Sequence, residues 1–157
     1  MKQIELKTQI KAYSYDELPE TDRRLVDMAR EATSRSYSPY SHFKVGAAIL
    51  LSNGEIITGA NQENAAYPSG TCAERSAAFY AHARYPEAKF RTIAIAAIDT
   101  NGHEVTNPIS PCGACRQSLL EFETLAGSAV KVLLAGADVI YELDSIRALL
   151  PLAFSEF

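Results

Sequence analysis

The sequence predicts an α/β layered domain with a five-stranded sheet, and three observations carry that prediction. Two apolar, β-prone runs, "FKVGAAILL" (43–51) and "EIITGAN" (55–61), flank Asn53-Gly54, a strong two-residue hairpin signal, so they pair antiparallel. After them helical patterns alternate with continuous apolar runs, as they do where buried strands are covered by helices. Only "GAD" (136–138) separates the last two strand runs, too short for a parallel crossover of about a dozen residues, so these strands form an antiparallel hairpin.

The elements follow in order. "MKQIELKTQIKAY" at the start alternates charged and apolar residues and lacks the apolar core of a signal peptide; residues 1–18 are read as a leader, and 19–157 as a single domain. From Pro19 to Ser36, Leu25, Met28, Ala29 and Ala32 recur at helical spacing, with Pro19 in a position suited to a first turn. The hairpin comes next, then a loop with Pro68 and Gly70, a helix from Cys72 to Tyr85 and a strand at "RTIAIAAI" (91–98). A polar loop (99–111) precedes a helix starting at Cys112, with Ser110 placed to cap it and Pro111 to open it. "VKVLLA" (130–135) and "VIYEL" (139–143) are the last strands, followed by a short helix, "DSIRALL" (144–150).

Composition narrows the function. The chain has 157 residues, 47% of them hydrophobic, enough for one well-buried core. A net charge of −4, with scattered Lys and Arg, argues against a polyanionic partner, so nucleic acid is not expected. No apolar run reaches membrane-spanning length, and a cytoplasmic location is expected. Three cysteines, an odd number, fit structural disulfides poorly and point to metal binding or catalysis.

Those cysteines are Cys72, Cys112 and Cys115. Cys112 and Cys115 lie three apart in a first helical turn, so both thiols share a face and can share a metal ion. A helix N-terminus favours the thiolate, the form that binds zinc. If the start of the other helix converges on them, Cys72 supplies a third ligand and leaves one tetrahedral position for water, as in catalytic zinc sites. Taken alone, "CGAC" is shared with thiol-redox proteins, a reading that the third cysteine and Glu74 weaken. A structural zinc site would need a fourth ligand, and of His42, His82 and His103 the second lies ten residues beyond Cys72, about 15 Å along a helix, which leaves His42 and His103. Glu74 also has two readings. Thr71-Cys72-Ala73-Glu74 fits a capping box, in which the carboxylate bonds back to the Thr71 backbone; two residues after a zinc ligand, the same carboxylate is in reach of the metal's water as a proton shuttle.

Four stretches, "YSPYSHFKVGAA", "NQENAAYPSGTCAERSA", "SPCGACRQSLLEF" and "LLPLAF", in this order and spacing, make the chain resemble the cytidine deaminases that act on free nucleosides. C-x-E stands here where other zinc deaminases carry H-x-E. The resemblance implies a three-layer cytidine-deaminase-like fold with a mixed five-stranded sheet. It implies one Zn2+ per chain on Cys72, Cys112 and Cys115, with Glu74 moving protons between water and pyrimidine. It further implies that Arg75 hydrogen-bonds the ligand sulfurs, Phe43 packs on the base, Asn61 and Glu63 bind the ribose, and Ala73 belongs to the substrate-binding set. Tyr67 and Phe154 are implied to reach a neighbouring subunit's site in a homotetramer. The expected reaction is hydrolysis of cytidine and deoxycytidine to uridine and deoxyuridine with release of ammonia, in pyrimidine salvage. A deaminase of an aminoacyl nucleoside antibiotic such as blasticidin S is the alternative within the same fold. The antiparallel last hairpin resembles the free-nucleoside enzymes, whereas many polynucleotide deaminases have a parallel final strand.

Overall fold

A computed structural model of the chain describes residues 1–155. The last two residues of the apolar tail "LLPLAFSEF", Glu156 and Phe157, lie outside the described residues.

Nine regular elements succeed one another: β1 (Lys11–Tyr13), α1 (Glu20–Ala32), β2 (Lys44–Leu51), β3 (Ile56–Ala60), α2 (Ala73–Arg84), β4 (Phe90–Ile98), α3 (Gly113–Ala126), β5 (Lys131–Ala135) and β6 (Ile140–Leu143). The sheet order is β1-β6-β5-β4-β2-β3. Among the strands of the described residues only β4 and β5 pair in parallel, joined through α3; β2/β3 and β5/β6 are the two expected antiparallel hairpins.

The sheet therefore has six strands, not the five predicted. The extra one comes from the leader, where Lys11, Ala12 and Tyr13 pair antiparallel with Glu142, Tyr141 and Ile140. Lys11 donates to Glu142 (2.9 Å) and Asp144 (2.8 Å), which fixes the register. Three paired residues carry almost no periodicity of their own; the edge of β6, about 130 positions away in sequence, selects them.

Alternation along the central strands sorts the core into two halves. Ala47, Ile49 and Leu51 of β2, Ile93 and Ile95 of β4, and Val132 and Leu134 of β5 pack under α2 and α3. Ala48, Ala94, Ala96, Leu133 and Ala135 face the other way, against Leu25, Val26 and Ala29 of α1. The expected three layers result, with α2 and α3 sharing one face.

The first helix ends at Ala32 rather than Ser36, and the chain continues as a 3-10 turn, Thr33–Arg35. Thr33 Oγ1 donates to the Arg30 carbonyl (2.7 Å) and Ser34 Oγ to that of Glu31 (2.8 Å), so side chains take acceptors near the helix end. The predicted closing helix is likewise a single 3-10 turn, Ile146–Leu149.

Gly59 of β3 matters most for the site. A Cβ there would sit 2.5 Å from the Ala77 nitrogen and 2.7 Å from the Ala73 carbonyl oxygen. Only a glycine lets the first turn of α2 press onto the sheet, and that turn carries Glu74 and Arg75.

Candidate active site

Both helix starts carry a cysteine as the N-cap. Cys72 caps α2 and Cys112 caps α3, each with extended backbone and its carbonyl accepting from the fourth residue on, Ser76 N–H and Arg116 N–H (3.0 Å each). Ser110 and Pro111 thus lie just outside the helix they were expected to cap and open. The Ser110 hydroxyl accepts from Arg116 Nη2 instead (2.9 Å).

The β3–α2 and β4–α3 connections bring these two starts together. The sulfurs of Cys72, Cys112 and Cys115 all lie within 4.8 Å of one another, and none is in a disulfide. Cys72 Sγ and Cys112 Sγ are 3.9 Å apart. Tetrahedral zinc with Zn–S bonds of about 2.3 Å separates its sulfurs by roughly 3.8 Å, whereas a disulfide needs about 2.05 Å, so the spacing fits metal ligation. Cys115 is fully buried, Cys72 half-buried and Cys112 exposed, leaving the cradle open on one side.

The cluster is polarised. A hydrogen bond from Cys115, helped by Arg75 and opposed by burial, holds the Cys72 thiol down at about 5. The same bond and burial push Cys115 up. The lowered proton affinity of Cys72 favours the thiolate, the form of cysteine that binds a metal. Arg75 Nη2 reaches Cys72 Sγ at 3.9 Å, and its Nε is buried without a hydrogen-bond partner among the described residues.

Glu74 is 4% exposed. Burial pushes its carboxyl above the ordinary carboxylate range, opposed by its own backbone N–H and by a hydrogen bond from Cys115, while the Cys72 charge adds to the rise. The capping-box geometry is not made, because the Thr71 N–H that it requires donates to the Gln62 carbonyl (2.9 Å). A buried carboxyl beside the cysteine cluster, with a raised proton affinity, is suited to proton transfer.

The remaining expected residues sit further out. Asn61 Oδ1 accepts from Ser36 Oγ (2.6 Å) and the Val45 amide (2.8 Å), while Nδ2 donates to the Phe43 carbonyl (2.9 Å). Its oxygen is saturated, and one Nδ2 proton remains without a protein acceptor among the described residues. Glu63 Oε2 accepts from the Tyr40 and Ser41 amides (2.9 and 3.3 Å). Together they hold the loop that presents Phe43, which is half-buried; within that loop His42 takes a left-handed φ of 56°. Glu63 and Tyr67 line a cleft of about 450 Å³ with Tyr40, Ser41, Asn64 and Gly70. That volume lies within the range of small-molecule sites, roughly 300–1,000 Å³. Ala73, the first residue of α2, is fully buried, with its carbonyl against Gly59 of β3. Phe154 is exposed and is not among the residues lining the cleft.

Sequence reasoning missed Arg116. Its Nε donates to the Pro111 carbonyl (2.7 Å) and its Nη1 to that of Leu149 (3.0 Å), in addition to the Ser110 bond. Its place one turn after Cys112 was the available signal.

Comparisons with known proteins agree with this geometry. Residues 19–129 match the family model of the cytidine and deoxycytidylate deaminase zinc-binding region. The chain is 40% identical to a cytidine deaminase of Halalkalibacterium halodurans over 131 residues, 83% of this chain and 92% of that one. A cytidine deaminase of Sporosarcina psychrophila is also 40% identical, over 85% of this chain and 90% of the other. Among solved structures, a cytidine deaminase from Burkholderia pseudomallei superposes with a TM-score of 0.71 at 36% identity, covering 87% of this chain and all of that one.

Proposed function

The chain belongs to the cytidine and deoxycytidylate deaminase zinc-binding family, and from that membership we propose how its own residues carry out the reaction. It is an enzyme that hydrolytically deaminates cytidine. We extend the substrates to deoxycytidine, place the reaction in pyrimidine salvage and assign it to the cytoplasm, where three free thiols stay reduced. Among the described residues no helix is long and apolar enough to cross a membrane.

The observation that carries the mechanism is the convergence of three cysteine sulfurs within 4.8 Å beside a buried carboxyl. Cys72, Cys112 and Cys115 are the groups to hold one zinc ion, which when bound makes water nucleophilic near neutral pH. Glu74 takes one proton from water as its oxygen adds to C4 of the pyrimidine and passes it to N3, then takes the second from the new C4 hydroxyl, which becomes the product carbonyl, and delivers it to the departing amine. The C4–O bond forms, the C4–N bond breaks, and ammonia leaves. Arg75, aimed at Cys72 Sγ, offsets the excess negative charge of three thiolates, and both helix N-termini add to that effect.

Outside the chemistry, Phe43 packs on the base from a loop that Asn61 and Glu63 hold. The remaining Nδ2 proton of Asn61 and the Glu63 carboxylate are placed to meet the ribose hydroxyls, and Ala73 borders the pyrimidine. Tyr67 and Phe154, both exposed, serve neighbouring sites in a homotetramer.

The test combines metal analysis with the ultraviolet absorbance change of cytidine. Wild type should hold one zinc per chain and turn over cytidine; Cys112→Ala and Cys115→Ala should lose both after dialysis. Stoichiometric zinc retained in both variants would overturn the ligand assignment.

A further inference from the structure

We infer that Arg116 is a positioning residue that ties the cysteine cradle to the C-terminal segment bearing Phe154, so that one side chain sets the geometry of both. This deepens the reading above and rests on it for the role of Phe154.

Arg116 sits one turn into α3, and its guanidinium faces two ways. Towards the cradle it holds the Pro111 carbonyl at 2.7 Å and the Ser110 hydroxyl at 2.9 Å, the two residues directly before Cys112. Away from the cradle it holds the Leu149 carbonyl at 3.0 Å, at the C-terminal end of the Ile146–Leu149 turn. All three partners are neutral oxygens, and none of the ion pairs among the described residues includes Arg116. Its contribution is therefore the fixed directions of a planar fork, which a lysine ammonium on a flexible stem does not reproduce.

The same helix grips this segment at two further points. Glu123 accepts from Ser145 Oγ (2.7 Å) and the Ile146 amide (2.8 Å) at the start of the turn, and it also holds the Val130 amide (2.9 Å). Gln117 Nε2 donates to the Phe154 carbonyl at 2.8 Å. An acidic group at the start of the turn and a cationic group at its end suit the orphan amides and carbonyls there. Among the described residues Glu123 and Gln117 hydrogen-bond to the segment but not to residues 110–112; Arg116 alone of the three hydrogen-bonds to both. Any displacement of the segment at Leu149 is transmitted to the loop entering Cys112, and the reverse.

The experiment uses the full-length, zinc-loaded protein. One readout is the rate of zinc release to a chromogenic chelator without substrate, and the other is KM for cytidine. Arg116→Lys should release zinc about tenfold faster, the usual size of a loss behind a metal ligand. It should also raise KM severalfold, and that increment should vanish when Phe154→Ala is already present, while the faster release persists. Ser110→Ala, which removes one acceptor and little packing, should speed release in the same direction and serves if the lysine variant folds poorly. Glu123→Gln should lower the melting temperature yet release zinc at the wild-type rate. Wild-type release from both Arg116→Lys and Ser110→Ala would overturn the tie, as would equally fast release from Glu123→Gln. Full multiplication of the KM effects of Arg116→Lys and Phe154→Ala would overturn the link to the tail. A zinc-loaded wild type without cytidine turnover would instead overturn the functional reading, and the release rates would still decide the role of Arg116.

Discussion

At the cysteine end of the site one chain supplies every group, and two helix starts hold them: Cys72 and Cys112 as N-caps, with Glu74 and Cys115 buried just beyond. Tyr67 and Phe154, the two residues proposed to close a neighbour's site, are by contrast 85% and 67% exposed, one in the 3-10 turn Tyr67–Ser69 and the other in the irregular C-terminal segment. The difference divides the labour. Bond making needs groups fixed to fractions of an ångström, which close-packed helix starts provide within one domain. Enclosing a nucleoside needs area, and aromatic rings left in solvent are the kind of area a second subunit covers.

The comparison breaks first, and by the largest margin, at Glu74. Glu74→Gln keeps the shape of the side chain and its capacity to hydrogen-bond but removes the group that accepts and returns a proton. Turnover should fall by about 10³-fold or more, with zinc content and melting temperature near wild type. Near-normal turnover in a zinc-loaded variant would leave the carboxylate without a chemical role.

A smaller effect tests whether the cysteine end depends on close packing. Gly59→Ala forces a methyl against the Ala77 nitrogen and the Ala73 carbonyl, backbone atoms that cannot turn aside. Destabilisation of about 1–3 kcal/mol is expected, a fall of roughly 3–10 °C in Tm, together with weaker zinc retention as the first turn of α2 is pushed off the sheet. Gly113→Ala is the contrasting variant. Gly113 lies between Cys112 and Cys115, but an added Cβ meets nothing within 4 Å, so both properties should hold. Thermal denaturation and zinc stoichiometry on the pair decide the point.

How much of this was legible in the sequence follows the same division. The two hairpins, both site helices and the three cysteines with Glu74 are local patterns, readable from Asn53-Gly54, from "GAD" and from residue spacing. What failed was non-local. β1 exists because β6 offers an edge to Lys11–Tyr13. Thr71 and Ser110 do not cap because Gln62 and Arg116 engage them from elsewhere in the fold. Arg116 stayed hidden because its third partner, Leu149, lies 33 positions away. Asn61 and Glu63 were expected only to bind ribose. Their bonds to the 36–45 loop show a second task, one that no spacing rule announces.

The mildest prediction addresses the exposed end. Gln117 pins the main chain at Phe154 through its carbonyl, while the residue as a whole is 67% exposed. If its ring closes a neighbour's nucleoside site, Phe154→Ala removes aromatic burial but no metal ligand. KM for cytidine should rise roughly tenfold, the equivalent of about 1.4 kcal/mol of lost apolar contact, with zinc content unchanged. Sedimentation at assay concentration should find four chains together in wild type, and dilution below the assembly range should raise KM as the variant does. A fully active monomer, or Phe154→Ala kinetics identical to wild type, would mean that one chain completes its own site, and the division between the two ends would not hold.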